Sequence, residues 1–436
     1  PAENLAQARS LAASYQNPIK IGNAFSASES SSEKLLRAIE LDSAHLSQYQ
    51  KLLSHVIYPI PGLRPSPSIL EENTLSQSGL WSFGISGDYP ILMLMIDHEE
   101  ELEALQEGLL SHSYWRKLGL MIDLVILNTK DSGYTHELNE KIHKSINKMG
   151  AGDWVNQRGG IFVLTEKQME EKSVFLLKTA AKVVLDLKID DLEGHLVKAA
   201  EIEPGLPAFV STGEDEQYFV AQKIQRPDDL IMDNGIGGFT QDGKEYRIYL
   251  KNYPTLTRGI GQQTPAPWIN VIANQDFGFL ISEAGGGFTW SGNSGENRLT
   301  PWTNDPVSDS PGEVLYIRDE ITGSIWSPTP NPAGEGTDYL VTHGQGYTTF
   351  ESIHHGFKQE MKAFVDAQQP IKFIQLTLTN LSSETRRMTA TYFVDWVLST
   401  TRQDSQNFIL PSYDSESEAL FARNSYSAEF SKKVAF

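Results

Sequence analysis

The sequence predicts an α+β multidomain chain: a helical N-terminal segment, a small α/β domain and a large antiparallel β-sandwich. Three observations predict it. Apolar residues follow a helical period near the N-terminus, apolar strands then alternate with helices, and short strands separated by polar turns fill the C-terminal part. A length of 436 residues allows roughly two to three domains.

Residues 1–80 are predicted to be a mainly helical segment. Within Ser31–Tyr58, apolar residues recur at close to the 3.6-residue period of an amphipathic helix. Ser31 or Ser32 could cap this helix. Four prolines between Pro59 and Pro67 then end the helical pattern.

Residues 81–190 are predicted to form the small α/β domain. The runs PILMLMI (90–96) and MIDLVIL (121–127) are continuously apolar, as in strands buried on both faces. Helical stretches separate these strands, so the crossovers predict a mostly parallel sheet. Residues 191–232 are acidic and interrupted by prolines, which indicates a linker.

Residues 233–436 are predicted to be all-β. WINVIA (268–273) and FGFLIS (277–282) flank a short polar turn and predict a β-hairpin. A second hairpin is predicted over Ile371–Leu398, with a polar loop at Asn380–Arg387. Many strands with polar turns at short spacing predict a large antiparallel sandwich.

A polar and aromatic stretch follows the first hairpin and is the candidate ligand-binding surface. Indoles stack on the apolar faces of sugar rings, and polar forks bind hydroxyls. The same residue types also build ordinary turns, and the tryptophans could instead be core residues. The predicted substrate-binding residues are Trp290, Glu296, Asn297, Arg298, Trp302, Asn304 and Asp305.

The sequence lacks the motifs of several classes of catalytic and ligand-binding site. The segment GISGDYP (84–90) precedes a strand, whereas a phosphate-binding loop needs GxxxxGK[ST] before a helix. No G-x-S-x-G elbow is present. His354 and His355 are predicted to point to opposite faces of a strand, so we expect no metal site.

Paired carboxylates are the remaining catalytic possibility, because glycan hydrolysis uses one acid and one base. Carboxylates beside strands are, however, more often simply solvated. The carboxylates near the candidate surface are Glu296, Asp305, Asp309, Glu313, Asp319 and Glu320.

The formal net charge of −20 argues against nucleic acid as a partner. The absence of cysteine excludes disulfides and cysteine-ligated metals and fits a cytoplasmic location. No apolar run reaches the roughly 18 residues of a membrane span, and no signal peptide is recognised. Both ends look cut, so we expect a segment of a longer polypeptide.

Long motifs in this chain resemble glycoside hydrolase family 94, and in particular the C-terminal part of cyclic β-1,2-glucan synthases. The family also holds cellobiose, chitobiose and 1,2-β-oligoglucan phosphorylases. The resemblance covers nearly the whole chain. It is carried by TPAPWINVIAN (264–274), the stretch from Ser282 to Glu320, HGQGYTTFE (343–351), Arg386–Trp396, WSFGISGDYPILMLMI (81–96) and SYWRKLGLMIDLVILN (113–128).

The resemblance implies a β-supersandwich followed by an (α/α)6 barrel, with the barrel and its general-acid aspartate downstream of Phe436. It therefore implies no catalytic residue within this chain and no cofactor, with inorganic phosphate as co-substrate of an inverting phosphorolysis. It also implies β-1,2-glucan or an oligosaccharide as ligand, a homodimer through the sandwich, and a rim role for residues 296–305. Any membrane segment would lie upstream.

One residue departs from the family pattern: Gly295 stands where an arginine is common in the synthases, which would weaken or rearrange the ligand contacts there. The alternatives are a portion of a stand-alone 1,2-β-oligoglucan phosphorylase, a non-catalytic carbohydrate-binding module, or a glycoside hydrolase with its own carboxylate pair in the sandwich.

Overall fold

The structure of the chain is a computed structural model. It describes residues 2–39, 43–130, 135–200, 223–252, 263–334, 336–428 and 432–436. The chain divides into two compact units, Pro1–Pro204 and Gly205–Phe436, referred to below as unit 1 and unit 2. Among the described residues, no helix combines the length and the apolar character needed to cross a lipid bilayer.

Unit 1 begins with helices, as predicted, but Ser31 and Ser32 lie inside the second of them and cap no helix. The helices are α1 (Leu5–Ser14), α2 (Pro18–Ile39), α3 (Ser43–Ile57) and α4 (Pro67–Glu72). The Asn4 side chain caps α1 by accepting a hydrogen bond from the Gln7 amide at 2.9 Å. Helix α3 buries Tyr49, Leu52 and Val56 completely. This apolar stripe fixes α3 on the core of unit 1.

A four-stranded parallel sheet forms the centre of unit 1 and confirms the predicted strand–helix alternation. The strands have the order β3-β2-β1-β4, and every pairing is parallel. The elements are β1 (Ile91–Ile96), α5 (Leu102–Lys117), β2 (Asp123–Asn128), α6 (Thr135–Lys148), β3 (Ile161–Thr165), α7 (Glu171–Ala180), β4 (Val183–Asp186) and α8 (Leu192–Ala200). Strand β2 is buried along its whole length, which explains its continuous apolar run.

Helix α8 lies inside the interval 191–232 that the sequence predicts to be a linker. Its Leu192, Leu196 and Ala199 are buried in the core of unit 1. Any linker therefore begins after this helix. The acidic, proline-containing composition that predicts a linker comes from residues further along the chain. Because of it, the sequence prediction missed the short amphipathic helix α8 at the start of the interval 191–232.

Unit 2 consists of antiparallel sheets. Its elements are β5 (Gly237–Phe239), β6 (Glu245–Leu250), β7 (Ile269–Ala273), β8 (Phe277–Ser282), β9 (Gly287–Ser291), β10 (Glu313–Asp319), β11 (Ile325–Trp326), β12 (Tyr339–Gly344), β13 (Tyr347–His354), β14 (Phe357–Val365), β15 (Lys372–Asn380), β16 (Met388–Val394), α9 (Arg402–Ser405), β17 (Ile409–Asp414) and β18 (Ala419–Asn424).

Six of these strands form the main sheet, in the order β15-β14-β13-β12-β6-β5. Two three-stranded sheets, β7-β8-β9 and β11-β10-β16, and the pair β17-β18 complete the described part of unit 2. The predicted hairpin over residues 268–282 is confirmed, because β7 and β8 pair with Val271 opposite Leu280.

One apolar core joins the main sheet to the sheet β7-β8-β9. Val341, Phe350 and Met361 of the main sheet cluster with Ile272 and Phe279. Alternate residues of each strand supply these side chains, as expected for sandwich strands with one buried face. A smaller cluster of Ile317, Trp326 and Phe357 joins the sheet β11-β10-β16 to β14.

The predicted hairpin over Ile371–Leu398 is wrong. Strand β15 pairs with β14 in the main sheet, whereas β16 pairs with β10 in another sheet. The polar loop between them therefore carries the chain from one sheet to the other. The buried Arg386 guanidinium pairs with Asp319 at the end of β10, and this ion pair holds the start of β16 beside β10.

The prediction that His354 and His355 point to opposite faces of a strand is also wrong. Strand β13 ends at His354, and His355 occupies the following turn with φ +47°. The turn brings the two imidazole rings to 4.3 Å from each other, beside Trp326. Burial lowers the pKa of His354 to about 3, so this imidazole is neutral at physiological pH.

Candidate functional site

Strand β9 and the loop after it carry the residues that the sequence predicts to bind substrate. Strand β9 pairs with β8, and the chain then leaves the sheet at Ser291. It returns through a bridge between Trp290 and Arg298, and Arg298 also bridges to Ser399. Arg298 therefore ties the candidate surface to the sheet. This surface consists of the seven predicted residues Trp290, Glu296, Asn297, Arg298, Trp302, Asn304 and Asp305.

Phe288 brings three of these residues together. Its buried ring lies 5.3 Å from the rings of both Trp290 and Trp302, measured between centroids. The Arg298 guanidinium carbon lies 5.6 Å from the centroid of the same ring. Both tryptophans are half-buried. Each indole therefore packs against Phe288 and still presents surface to solvent.

Asn297 acts as an internal support of the loop. Its side chain is buried, and Nδ2 donates to the Ser291 carbonyl at 2.8 Å. The Asn293 side chain completes the support by accepting hydrogen bonds from the amides of Gly295 and Glu296 at 2.8 and 3.0 Å. These bonds give the loop a defined conformation without a ligand, as a pre-organised binding surface requires.

Glu296, Asn304 and Asp305 lie on the outside of the candidate surface and are exposed. Asn304 has φ +51°, a left-handed conformation that asparagine tolerates better than most residues. Asp305 accepts hydrogen bonds from the Val307 amide at 2.9 Å and the Ser308 hydroxyl at 2.7 Å. The hydrogen bond from Ser308 is the main cause of a lowered Asp305 pKa.

A buried ionic cluster lies behind the candidate surface, and it joins three sheets. Glu313 of β10 accepts from Lys372 Nζ of β15 at 2.6 Å and from the Tyr392 hydroxyl of β16 at 2.6 Å. It also accepts from the Thr300 hydroxyl at 2.8 Å and the Thr289 hydroxyl at 2.5 Å. Because Thr289 lies on β9, the cluster fixes the strand that carries Trp290.

The ionic cluster keeps Glu313 charged. Burial alone would raise the pKa of Glu313, but the charge of Lys372 and the hydrogen bonds outweigh burial and lower the pKa to about 2. The Tyr392 side chain is 43% exposed, but its hydroxyl lies against Glu313. Desolvation of this hydroxyl and the neighbouring Glu313 charge raise the pKa of Tyr392, so the hydroxyl stays protonated and donates. The exposed fractions of the Lys372 and Glu313 side chains are 14% and 12%.

The far end of the loop is anchored by Asp309. The Ser282 hydroxyl donates to Asp309 Oδ2 and accepts from the Gly286 amide at 2.9 Å. Burial raises the pKa of Asp309, and the bond from Ser282 opposes this shift. The anchor ties the segment after Asp305 to the turn between β8 and β9.

Most of the candidate carboxylates have partners within the sandwich. Of the six near the candidate surface, five accept hydrogen bonds from other side chains, and Glu296 is exposed at the loop tip. The five pairings are Asp305 with Ser308, Asp309 with Ser282, Glu313 with Lys372, Asp319 with Arg386 and Glu320 with Arg318. In the described residues these carboxylates therefore serve to hold strands and turns together.

Sequence reasoning missed Lys372, Tyr392 and Ser282. A weak signal was present, because Lys372 opens a strand whose neighbours alternate between apolar and polar. The partner that makes it informative, Glu313, is 59 residues away in the chain. No local pattern connects residues so far apart.

Residues 253–436 match the family described as glycosyl hydrolase 94, supersandwich domain. All of the matched residues lie in unit 2. The predicted resemblance and the predicted large antiparallel sandwich are thereby confirmed. The sheets β15-β14-β13-β12-β6-β5, β7-β8-β9 and β11-β10-β16 all lie within or next to the matched residues.

Individual relatives extend the comparison beyond the supersandwich. The cyclic beta-(1,2)-glucan synthase NdvB of Rhizobium meliloti (strain 1021) is 30% identical over 434 residues, which is 97% of this chain and 15% of the synthase. The N,N'-diacetylchitobiose phosphorylase of Vibrio proteolyticus is 28% identical over 41% of this chain and 21% of that enzyme. The solabiose phosphorylase of Paenibacillus borealis is 30% identical over 44% of this chain.

The chain spans less than a quarter of the length of each of these relatives, at 15%, 21% and 24%. The relatives are, by name, a glucan synthase and two phosphorylases of sugar substrates. The similarity to the synthase covers unit 1 as well as the supersandwich, because it extends over 97% of the chain.

Proposed function

We propose that this chain is part of a glycosyl hydrolase 94 enzyme that acts on β-1,2-glucan, in the context of cyclic β-1,2-glucan synthesis. The observation that supports this proposal most is the extent of similarity to the glucan synthase, which covers 97% of the chain. The similarity to the phosphorylases covers 41% and 44%. A stand-alone phosphorylase portion explains the supersandwich but leaves unit 1 unexplained.

The proposed reaction is an inverting phosphorolysis that releases glucose 1-phosphate. A phosphate oxygen attacks the anomeric carbon of a terminal glucose, the glycosidic bond breaks, and a general acid protonates the departing oxygen of the shortened glucan. The acid is proposed to come from a part of the natural protein outside residues 1–436. Inorganic phosphate is the co-substrate, and no cofactor is needed.

Within that enzyme, unit 2 is proposed to act as scaffold and substrate rim. The exposed surfaces of Trp290 and Trp302 suit stacking on glucose rings, and Glu296, Asn304 and Arg298 supply polar groups for hydroxyls. We also propose a homodimer formed through the sandwich and a cytoplasmic location. Strands β15 and β16 lie at edges of the described sheets and are largely uncharged, which supports an association through this part of the sandwich.

The rim role predicts a specific effect on substrate binding. In the natural full-length protein, Trp302→Ala is expected to raise KM for linear β-1,2-glucan by about tenfold with kcat nearly unchanged, because one stacking contact is lost. Initial rates of phosphorolysis at varied glucan concentration measure this effect. Tyr413→Ala is the matched control, since Tyr413 is a 63% exposed aromatic residue of unit 2 outside the candidate surface.

A second variant separates binding from loop support. Asn297→Ala removes the hydrogen bond from this buried side chain to the Ser291 carbonyl and is expected to lower thermal stability, because the loop loses one of its internal supports. Equal KM values for the parent and Trp302→Ala would contradict the rim role. A loss of stability in Trp302→Ala as large as that in Asn297→Ala would instead assign Trp302 to the core.

A further inference from the structure

The amino-terminal edge of the parallel sheet in unit 1 carries a second set of exposed aromatic residues. The segment GISGDYP (84–90) leads into β1, and residues 150–160 lead into β3. Because the strands are parallel, both segments lie at the same edge of the sheet. The segment GISGDYP has no role in the proposed reaction.

Two indoles at this edge are held at one side and exposed on the other. Trp81 is 65% exposed, and its Nε1 donates to the Ser86 carbonyl at 3.3 Å. Trp154 is 42% exposed, and the Arg116 guanidinium carbon lies 3.3 Å from its ring centroid. Large aromatic surfaces that are fixed in place and left open to solvent suit the stacking of a ligand.

Polar residues connect the two indoles. Gln77 links Ser86 to Asp88 by two hydrogen bonds. Its Nε2 donates to the Ser86 carbonyl at 2.9 Å and to Asp88 Oδ1 at 3.0 Å. Asp88 Oδ2 accepts from Arg158 at 2.7 Å, and both residues are more than half exposed. Gly159, which follows Arg158, accepts at its carbonyl from Arg116, the residue that covers Trp154.

A tight turn at Gly87 and a buried carboxylate, that of Asp123, fix the backbone that carries these groups. Gly87 has φ +76°, and a Cβ at this position would lie 2.7 Å from Cγ of Gln77, so glycine allows the turn to close. The fully buried Asp123 accepts from the Gly159 amide at 2.7 Å. The surface is therefore pre-organised in the absence of a ligand, which reduces the conformational entropy lost on binding.

We propose that this edge binds a neutral glucan chain. We call it the indole surface and define it by Trp81, Asp88, Trp154 and Arg158. The indoles stack on glucose rings, and the exposed Asp88–Arg158 pair offers an acceptor and donors to hydroxyls. The pairing of Asp88 with Arg158 and the net charge of −20 favour a neutral ligand over a polyanion. The choice of glucan rests on the proposed function.

The test is titration of the 436-residue chain with linear β-1,2-glucan in a calorimeter, in a Trp302→Ala background so that the candidate surface of unit 2 contributes little. Trp81→Ala and Trp154→Ala are each expected to weaken the affinity by about tenfold. Trp154→Phe is expected to retain most of the affinity, because it keeps an aromatic face over Arg116. Tyr58→Ala is the control, since Tyr58 is a 77% exposed aromatic residue of unit 1.

The inference is overturned if the chain binds no glucan in this background, or if Trp81→Ala and Trp154→Ala bind as tightly as Tyr58→Ala. Circular dichroism of each variant checks folding, and an effect of Trp154→Ala that Trp154→Phe does not rescue also counts against it.

Failure of the proposed function has a different signature. The full-length protein would then release no glucose 1-phosphate, while glucan binding by the chain would still depend on Trp81 and Trp154. Conversely, the full-length protein could phosphorolyse short oligosaccharides while glucan binding by the chain did not depend on Trp81 or Trp154. That result would support the proposed function and contradict a glucan-binding role for the indole surface.

Discussion

Replacing Lys372 with Met is expected to lower the free energy of unfolding of unit 2 by about 3–5 kcal/mol. The substitution leaves the buried Glu313 carboxylate without the ammonium group that lies 2.6 Å away. Three sheets meet at this carboxylate through Thr289, Lys372 and Tyr392, so the loss affects the whole sandwich. Urea unfolding followed by tryptophan fluorescence measures the change.

Two further variants identify the cause. Lys244→Met removes an exposed lysine of the same unit, and its expected cost is below about 0.5 kcal/mol. The double variant Glu313→Gln/Lys372→Met should be more stable than Lys372→Met alone, because no buried charge is left unpaired. A single Lys372→Met variant as stable as Lys244→Met would contradict a structural role for the ion pair.

The same cluster predicts how stability depends on pH. The pKa of Glu313 is lowered from 4.5 to about 2 in the folded chain. The charged carboxylate therefore contributes stability that is complete above pH 4.5 and is lost as the pH falls through 2. A shift of this size corresponds to about 3 kcal/mol. Lys372→Met should lose this part of the pH dependence.

Gly287→Ala is expected to destabilise unit 2 by about 3 kcal/mol or more. Gly287 opens β9 with φ +149°, and a Cβ there would lie 2.0 Å from the Leu280 carbonyl oxygen. That contact is with the backbone of the paired strand β8, so no side chain can move to relieve it. The start of β9 would have to separate from β8, which would displace Phe288 and Trp290.

Gly292→Ala is the matched control for this prediction. Gly292 also has a positive φ, +74°, but a Cβ there meets nothing within 4 Å. Its expected cost is only the roughly 1–2 kcal/mol of a left-handed alanine. Thermal unfolding of both variants compares them. Equal losses would show that backbone conformation, and not the close approach of β8, explains the glycine.

Local sequence patterns predicted those parts of the fold that local contacts decide. The hairpin of β7 and β8 follows from alternating strands around a short polar turn. The apparent hairpin of β15 and β16 has the same local signals, but its strands pair elsewhere. Strand β16 instead pairs with β10, and the accompanying ion pair joins Arg386 to Asp319, residues 67 positions apart. Such a contact has no signature in either stretch.

In the candidate surface, too, local sequence patterns predicted some residues, and contacts between distant residues determine the rest. The sequence singled out Trp290, Arg298 and Trp302, and the fold gathers these residues around Phe288. Residue type alone could not distinguish Asn297, which is buried and supports the loop, from the exposed Asn304. The supporting residues Lys372 and Tyr392 come from strands later in the chain, so only the assembled sandwich places them behind the surface.

Release of glucose 1-phosphate from linear β-1,2-glucan and inorganic phosphate tests the proposed function. The natural full-length protein and the 436-residue chain are assayed side by side. We predict product from the full-length protein and none from the chain alone. Product from the chain alone would place a catalytic carboxylate within it, and absence of product from the full-length protein would contradict phosphorolysis of this glucan.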